Sequence, residues 1–75
     1  MDSTVADIER DLQELGVPAL AGVKQLAKLL GISRDSLYQA IRSGKLRAFR
    51  NGSFTASLRI RRADAARWIA AHPAN

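Results

Sequence analysis

Apolar positions recur at helical spacing in four places along the chain, and at alternating spacing between the third and the fourth. Val5, Ile8, Leu12 and Leu15 are 3, 4 and 3 residues apart, one stripe of a helix that a Ser3 or Thr4 cap would open and that runs to about Leu15. Gly16 suits the exit and Pro18 blocks continuation, so residues 16–21 read as a linker. Val23, Leu26, Ala27 and Leu30 share the inner face of a second helix, which leaves Lys24, Gln25 and Lys28 outside. Gly31 ends it, because glycine alone enters the left-handed region without steric cost, and Ile32 follows as an apolar plug. The Ser33 hydroxyl can accept from the free N–H groups near Asp35 and Ser36, which caps a third helix from about Arg34 to Ser43. Leu37, Ala40 and Ile41 form its inner face and Gly44 closes it.

The period then changes to two. Lys45 to Arg50 alternates as a strand, Asn51-Gly52 is a turn signal, and Leu58 to Arg61 alternates again. A hairpin follows, with a connection from Asn51 to Ser57 longer than a two-residue turn. A last helix covers about Arg62 to Ala71, with Ala65, Trp68 and Ile69 inward and Pro73 beyond its end. The predicted fold is mainly α with a small β-hairpin.

Helix, Gly-Ile-Ser turn, helix is the arrangement that sets two helices at a steep angle. The second helix then projects and can enter the DNA major groove, about 12 Å wide. Its outward residues Tyr38, Gln39 and Arg42, with Asp35 one turn earlier, are polar and able to hydrogen bond. The hairpin carries Arg50, Asn51, Ser53, Thr55, Ser57 and Arg59, all capable of phosphate or minor-groove contacts. A basic hairpin beside a projecting helix is a winged helix-turn-helix, here with an extra N-terminal helix.

Charge sharpens this picture. Residues 1–15 set five acids against Arg10 alone, a net charge of −4, whereas residues 16–75 set eleven bases against Asp35 and Asp64, a net charge of +9. The division is therefore an acidic amphipathic helix over residues 1–16 and a basic DNA-binding unit over residues 17–75. A +9 body attracts a polyanion, with solubility as the plain alternative. The absence of cysteine rules out disulfides and thiolate metal sites. No apolar run approaches the roughly 20 residues of a membrane span, and Met-Asp-Ser does not open a secretory signal. A cytoplasmic protein is expected, with no membrane partner.

The stretch from Val23 through Gly31-Ile32-Ser33 and Tyr38 to Gly44-Lys45-Leu46 resembles the excisionase family of winged helix-turn-helix proteins, within the broader MerR-like group. Leu58-Arg59-Ile60 is similar to the family's strand after the wing, and Asp64 to Ile69, with Trp68, to its closing helix. The resemblance covers about residues 21 to 71. The wing is several residues longer than is usual in the family, and the acidic helix lies outside the match. The resemblance implies a recombination directionality factor, which binds repeated sites on phage attachment DNA, bends it, and directs an integrase toward excision without performing chemistry itself. A transcriptional regulator of the same fold is the alternative, and a protein–protein interaction module is the reading from another class.

The DNA-contacting set expected from this reading is Arg34, Asp35, Ser36, Tyr38, Gln39 and Arg42 on the recognition helix. Arg47, Arg50, Asn51, Ser53, Thr55, Ser57 and Arg59 are expected on the wing, with Lys24 and Lys28 against the backbone. Tyr38 is either a DNA contact or a half-buried structural tyrosine. Asp35 either accepts from a cytosine amino group or favours the helix dipole. Phe49 and Phe54 read as core or wing packing rather than wedges in DNA, and Trp68 as core. His72 lacks ligand neighbours and no serine has a base and an orienting acid, so no metal, no cofactor and no enzymatic activity is expected. The partners expected are double-stranded DNA, an integrase, and a second copy met on DNA through the N-terminal helix.

Overall fold

The computed structural model describes residues 3–51 and 57–71. Along the chain these form α1 (Ser3–Glu14), β1 (Leu20–Gly22), α2 (Val23–Leu30), α3 (Arg34–Arg42), β2 (Phe49–Asn51), β3 (Ser57–Arg61) and α4 (Arg62–Ala71). The predicted class holds: helices dominate, and a small antiparallel sheet carries the hairpin.

The junction between α2 and α3 is set by local chemistry. Gly31 sits at φ 71°, ψ 29°. Its N–H donates to the Lys28 carbonyl at 3.3 Å, and the Ile32 N–H reaches back to Ala27 at 3.1 Å. Two carbonyls that the helix end would leave unsatisfied are thus bonded, and the chain turns sharply. Ser33 then caps α3, its Oγ accepting from the Ser36 N–H at 3.2 Å. At the far end of α3, Gly44 adopts φ 80°. The Lys45 and Leu46 N–H groups both donate to the Ala40 carbonyl, at 2.9 and 3.1 Å. That bond drives the Leu46 side chain into the core, where it is 1% exposed.

The sheet has the order β1-β3-β2. In β2 and β3, Phe49 lies opposite Arg59, Arg50 opposite Leu58 and Asn51 opposite Ser57. In β1 and β3, Ala21 lies opposite Ile60, both fully buried. One cluster joins Leu12 of α1, Val17, Ala21, the inner faces of α2 and α3, Leu46, Ile60, and Ala65 and Ala66 of α4. Trp68, Ile69, Val5 and Ile8 pack against it from partly buried positions.

Four expectations are corrected. Residues 16–21 are not wholly a linker, because Leu20–Gly22 forms β1 and turns the hairpin into a three-stranded sheet. The strand predicted from Lys45 starts at Phe49, because the Lys45 and Leu46 amides are held by Ala40 rather than by a ladder. Leu15 is 56% exposed: α1 ends at Glu14, and the Val17 N–H bonds Leu12 at 2.9 Å, so Val17 fills the place given to Leu15 and is 2% exposed. Ile32 is 37% exposed and lines a shallow apolar groove with Leu30, Trp68 and Ile69 instead of plugging the core. The described part of α1 opens at Ser3, and the residues before it, like Gly52, Phe54, His72 and Pro73, lie outside the described residues.

A residue without any sequence signal ties the N-terminal helix to the rest. The Arg62 backbone N–H donates to Ala19 at 2.9 Å, and its Nη1 donates to the Val17 carbonyl at 2.9 Å. Its buried Nε has no hydrogen-bond partner, but lies 3.7 Å from Glu9 of α1, a Coulombic contact beyond hydrogen-bond range. α1 thereby packs along α4 with its apolar stripe inward and Asp7, Asp11 and Glu14 outward.

Candidate nucleic-acid interface

α3 buries Leu37 and Ala40 and exposes Arg34, Asp35, Ser36, Tyr38, Gln39 and Arg42. At 100° per residue, Asp35, Gln39 and Arg42 fall within about 60° of one direction, opposite the buried face. Tyr38 and Arg34 flank that stripe on one side and Ser36 on the other. Nine residues rise about 14 Å, enough to present this stripe along a segment of major groove. Ser36 is partly engaged already: its N–H serves the cap, and its Oγ is 2.9 Å from Ser33 Oγ. With Gln39, Ser43 and Lys45 it borders a groove floored by Trp68.

The Tyr38 flank meets the hairpin. A cleft there is lined by Gly22, Val23 and Lys24 at the start of α2, Tyr38 of α3, Arg50 of β2, and Leu58 and Arg59 of β3. Three cations and a phenol from four elements therefore border one concavity, Arg50 from the Leu58 face of the sheet and Arg59 from the Phe49 face. Tyr38 is 41% exposed, so its ring is only partly covered at this junction. A second cleft runs along the helix-turn-helix itself, lined by Lys24, Lys28, Ile32, Ser33, Arg34 and Asp35, where Lys24 and Lys28 stand exposed. Arg47 is exposed in the segment between α3 and β2, not on a strand. The backbones of Asn51 and Ser57 close the described part of the ladder, while Ser53 and Thr55 lie outside the described residues. Phe49, on the outer sheet surface, lies under the Arg61 guanidinium, 5.9 Å from ring centre to Cζ.

Ion pairing separates the two ends of the molecule. Among the described residues the paired arginines are Arg10 with Asp7, Arg62 with Glu9 and Arg67 with Asp64 at 3.2 Å, all on α1 and α4. Lys24, Lys28, Arg34, Arg42, Arg47, Arg50 and Arg59 have no ion-pair partner among the described residues. A surface of unpaired cations repels itself unless an anion is supplied, and a phosphate backbone supplies one about every 1.7 Å of duplex axis. Sequence reasoning missed Gly22 and Val23 in the cleft, because neither is polar. It also missed Arg62, whose partners lie 45 and 53 positions away.

Among the described residues no group of His, Cys, Asp or Glu could hold a metal ion, and no helix is long and apolar enough to cross a membrane. No curated protein and no solved structure matches the chain. A family model described as a helix-turn-helix domain matches residues 22–73, from the last residue of β1 past the end of α4, with α1 outside. The match takes in α2, the Gly31–Ser33 turn, α3, the hairpin and the closing helix, and so the chain belongs to the helix-turn-helix domain family, a family of DNA-binding domains.

Proposed function

We propose that this protein is a sequence-specific double-stranded-DNA-binding excisionase, which binds and bends attachment-site DNA and so directs an integrase toward excision. The observation that carries the DNA reading is the continuity of the surface. The polar outward stripe of α3 runs into the cleft where Lys24, Tyr38, Arg50 and Arg59 converge. In this reading Asp35, Gln39 and Arg42 meet base edges. Lys24, Lys28, Arg34, Arg47, Arg50 and Arg59 meet phosphates, and Asn51, Ser53, Thr55 and Ser57 extend the wing along the backbone. The step from DNA binding to excision rests on the resemblance carried by Val23 to Leu46 and by the closing helix.

The acidic outer face of α1, with Asp7, Asp11, Glu14 and the exposed Leu15, is repelled by phosphates and serves in this reading as the surface offered to the integrase or to a second copy. The test is reconstituted recombination. Integrase from the same genetic element, supercoiled DNA carrying the two attachment sites, and this protein should together yield excised circles, with no excision when the protein is left out. Tight operator binding that silences a promoter and leaves integrase output unchanged would replace excisionase with transcriptional regulator. Retention of no duplex in preference to another would favour the interaction module.

A further inference from the structure

Gly16, Gly31 and Gly44 all have positive φ and open space where a Cβ would stand, so backbone conformation alone accounts for them. Gly22 is the reverse. Its φ of −74° and ψ of 160° suit any residue. It occupies the N-cap of α2, where serine, threonine or aspartate would bond a free N–H, and no side-chain cap bond is made there. Glycine is tolerated as an N-cap, but neither conformation nor capping requires it here, and a serine or aspartate would cap better. What does require it is a neighbour: a Cβ on Gly22 would lie 2.7 Å from Arg59 Nη1 and 4.0 Å from its Cζ. Arg59 is the residue directly opposite Gly22 in the β1–β3 ladder, and its guanidinium lies across the bare Cα. Both residues border the cleft shared with Lys24, Tyr38 and Arg50.

We propose that Gly22 is a positioning residue for DNA binding: its missing side chain is the seat that holds the Arg59 guanidinium against the start of α2, at the rim of the cleft, where it takes one backbone phosphate beside Lys24. The proposal rests on the DNA-binding reading above. Any side chain at residue 22 meets the far end of a flexible arginine, so the fold survives and the guanidinium is the part that moves.

Gly22→Ser separates this role from a structural one, because a serine there adds the missing helix cap while evicting the guanidinium. Binding of wild type, Gly22→Ser, Arg59→Ala and the double variant to a duplex is measured across salt concentrations, beside thermal melts. Gly22→Ser should melt at or above wild type. It should bind specific and random duplexes about tenfold more weakly, with the log–log salt slope flatter by about one unit, as in Arg59→Ala. The double variant should bind no worse than Arg59→Ala alone, since the seat matters only through its occupant. A Gly22→Ser protein with unchanged slope, or additive losses in the double variant, overturns the seat while wild-type binding leaves the DNA reading intact. If Gly22→Ser melts lower, Gly22→Ala is read on the same two axes, and full affinity there likewise overturns the proposal. Failure of wild type to bind any duplex overturns both.

Discussion

Leu12 and Leu15 lie on one stripe by spacing, yet the structure assigns them opposite fates, and a pair of alanine substitutions measures the difference. Leu12 is 3% exposed and joins the central cluster, whereas Leu15 is 56% exposed. Leu12→Ala removes a buried side chain and leaves a cavity against Val17 and α4, at a cost of about 2–5 kcal/mol. A 75-residue domain holds about 4–11 kcal/mol in all, at roughly 0.05–0.15 kcal/mol per residue. The single change therefore removes a large share of the stability. At about 4–8 °C per kcal/mol for a chain this small, the midpoint should fall by at least about 8 °C. Leu15→Ala alters a side chain already in water and should cost under about 0.5 kcal/mol, or under about 4 °C. Thermal melts by circular dichroism, with urea titrations to check that the m-value is unchanged, read both. Equal losses for the two variants, or a Leu12→Ala protein that melts with wild type, would refute the placement of α1 in the core.

Removing residues 1–16 should lower the midpoint further or abolish folding, since Leu12 and the Glu9–Arg62 contact go together; an unchanged melt would detach α1 from the fold. Ser33→Ala should cost about 1 kcal/mol by removing the α3 cap, with Ser33→Asp restoring most of it in the same melts. Arg42→Ala should cost about 1–3 kcal/mol on the specific duplex and little on a random one. Equal loss on both in a competition titration would move Arg42 to a phosphate. Arg50→Ala should weaken binding to every duplex and flatten the salt slope by about one unit, and an unchanged slope would take β2 out of the interface.

The helices were legible because their ends carry chemistry. α2 and α4 run over the predicted residues, and the junction Gly31-Ile32-Ser33 places a left-handed glycine and a capping hydroxyl where the sequence puts them. What lay hidden depends on partners far along the chain. Leu20–Gly22 is too short to show alternation, and becomes a strand only because Arg59, Ile60 and Arg61 arrive beside it about forty residues later. Lys45 to Ala48 alternates like a strand, but the spare carbonyl of Ala40 takes its first two amides. Most of the candidate interface was readable, since exposed bases beside a projecting helix announce themselves by type. Gly22 and Arg62 were not, because one acts by lacking a side chain and the other by bonds to remote carbonyls.

In the proposed DNA-binding reading, α3, the start of α2 and the hairpin form one DNA face while α1 and α4 stay clear of it. Amide chemical shifts of the 15N-labelled protein, followed as a duplex bearing its site is added, test this residue by residue. The large shifts should fall on Gly22 to Lys28, Arg34 to Arg42 and Phe49 to Arg61, with Asp7 to Glu14 and Arg67 to Ala71 nearly unmoved. Shifts concentrated on α1 and α4, with α3 silent, would contradict it.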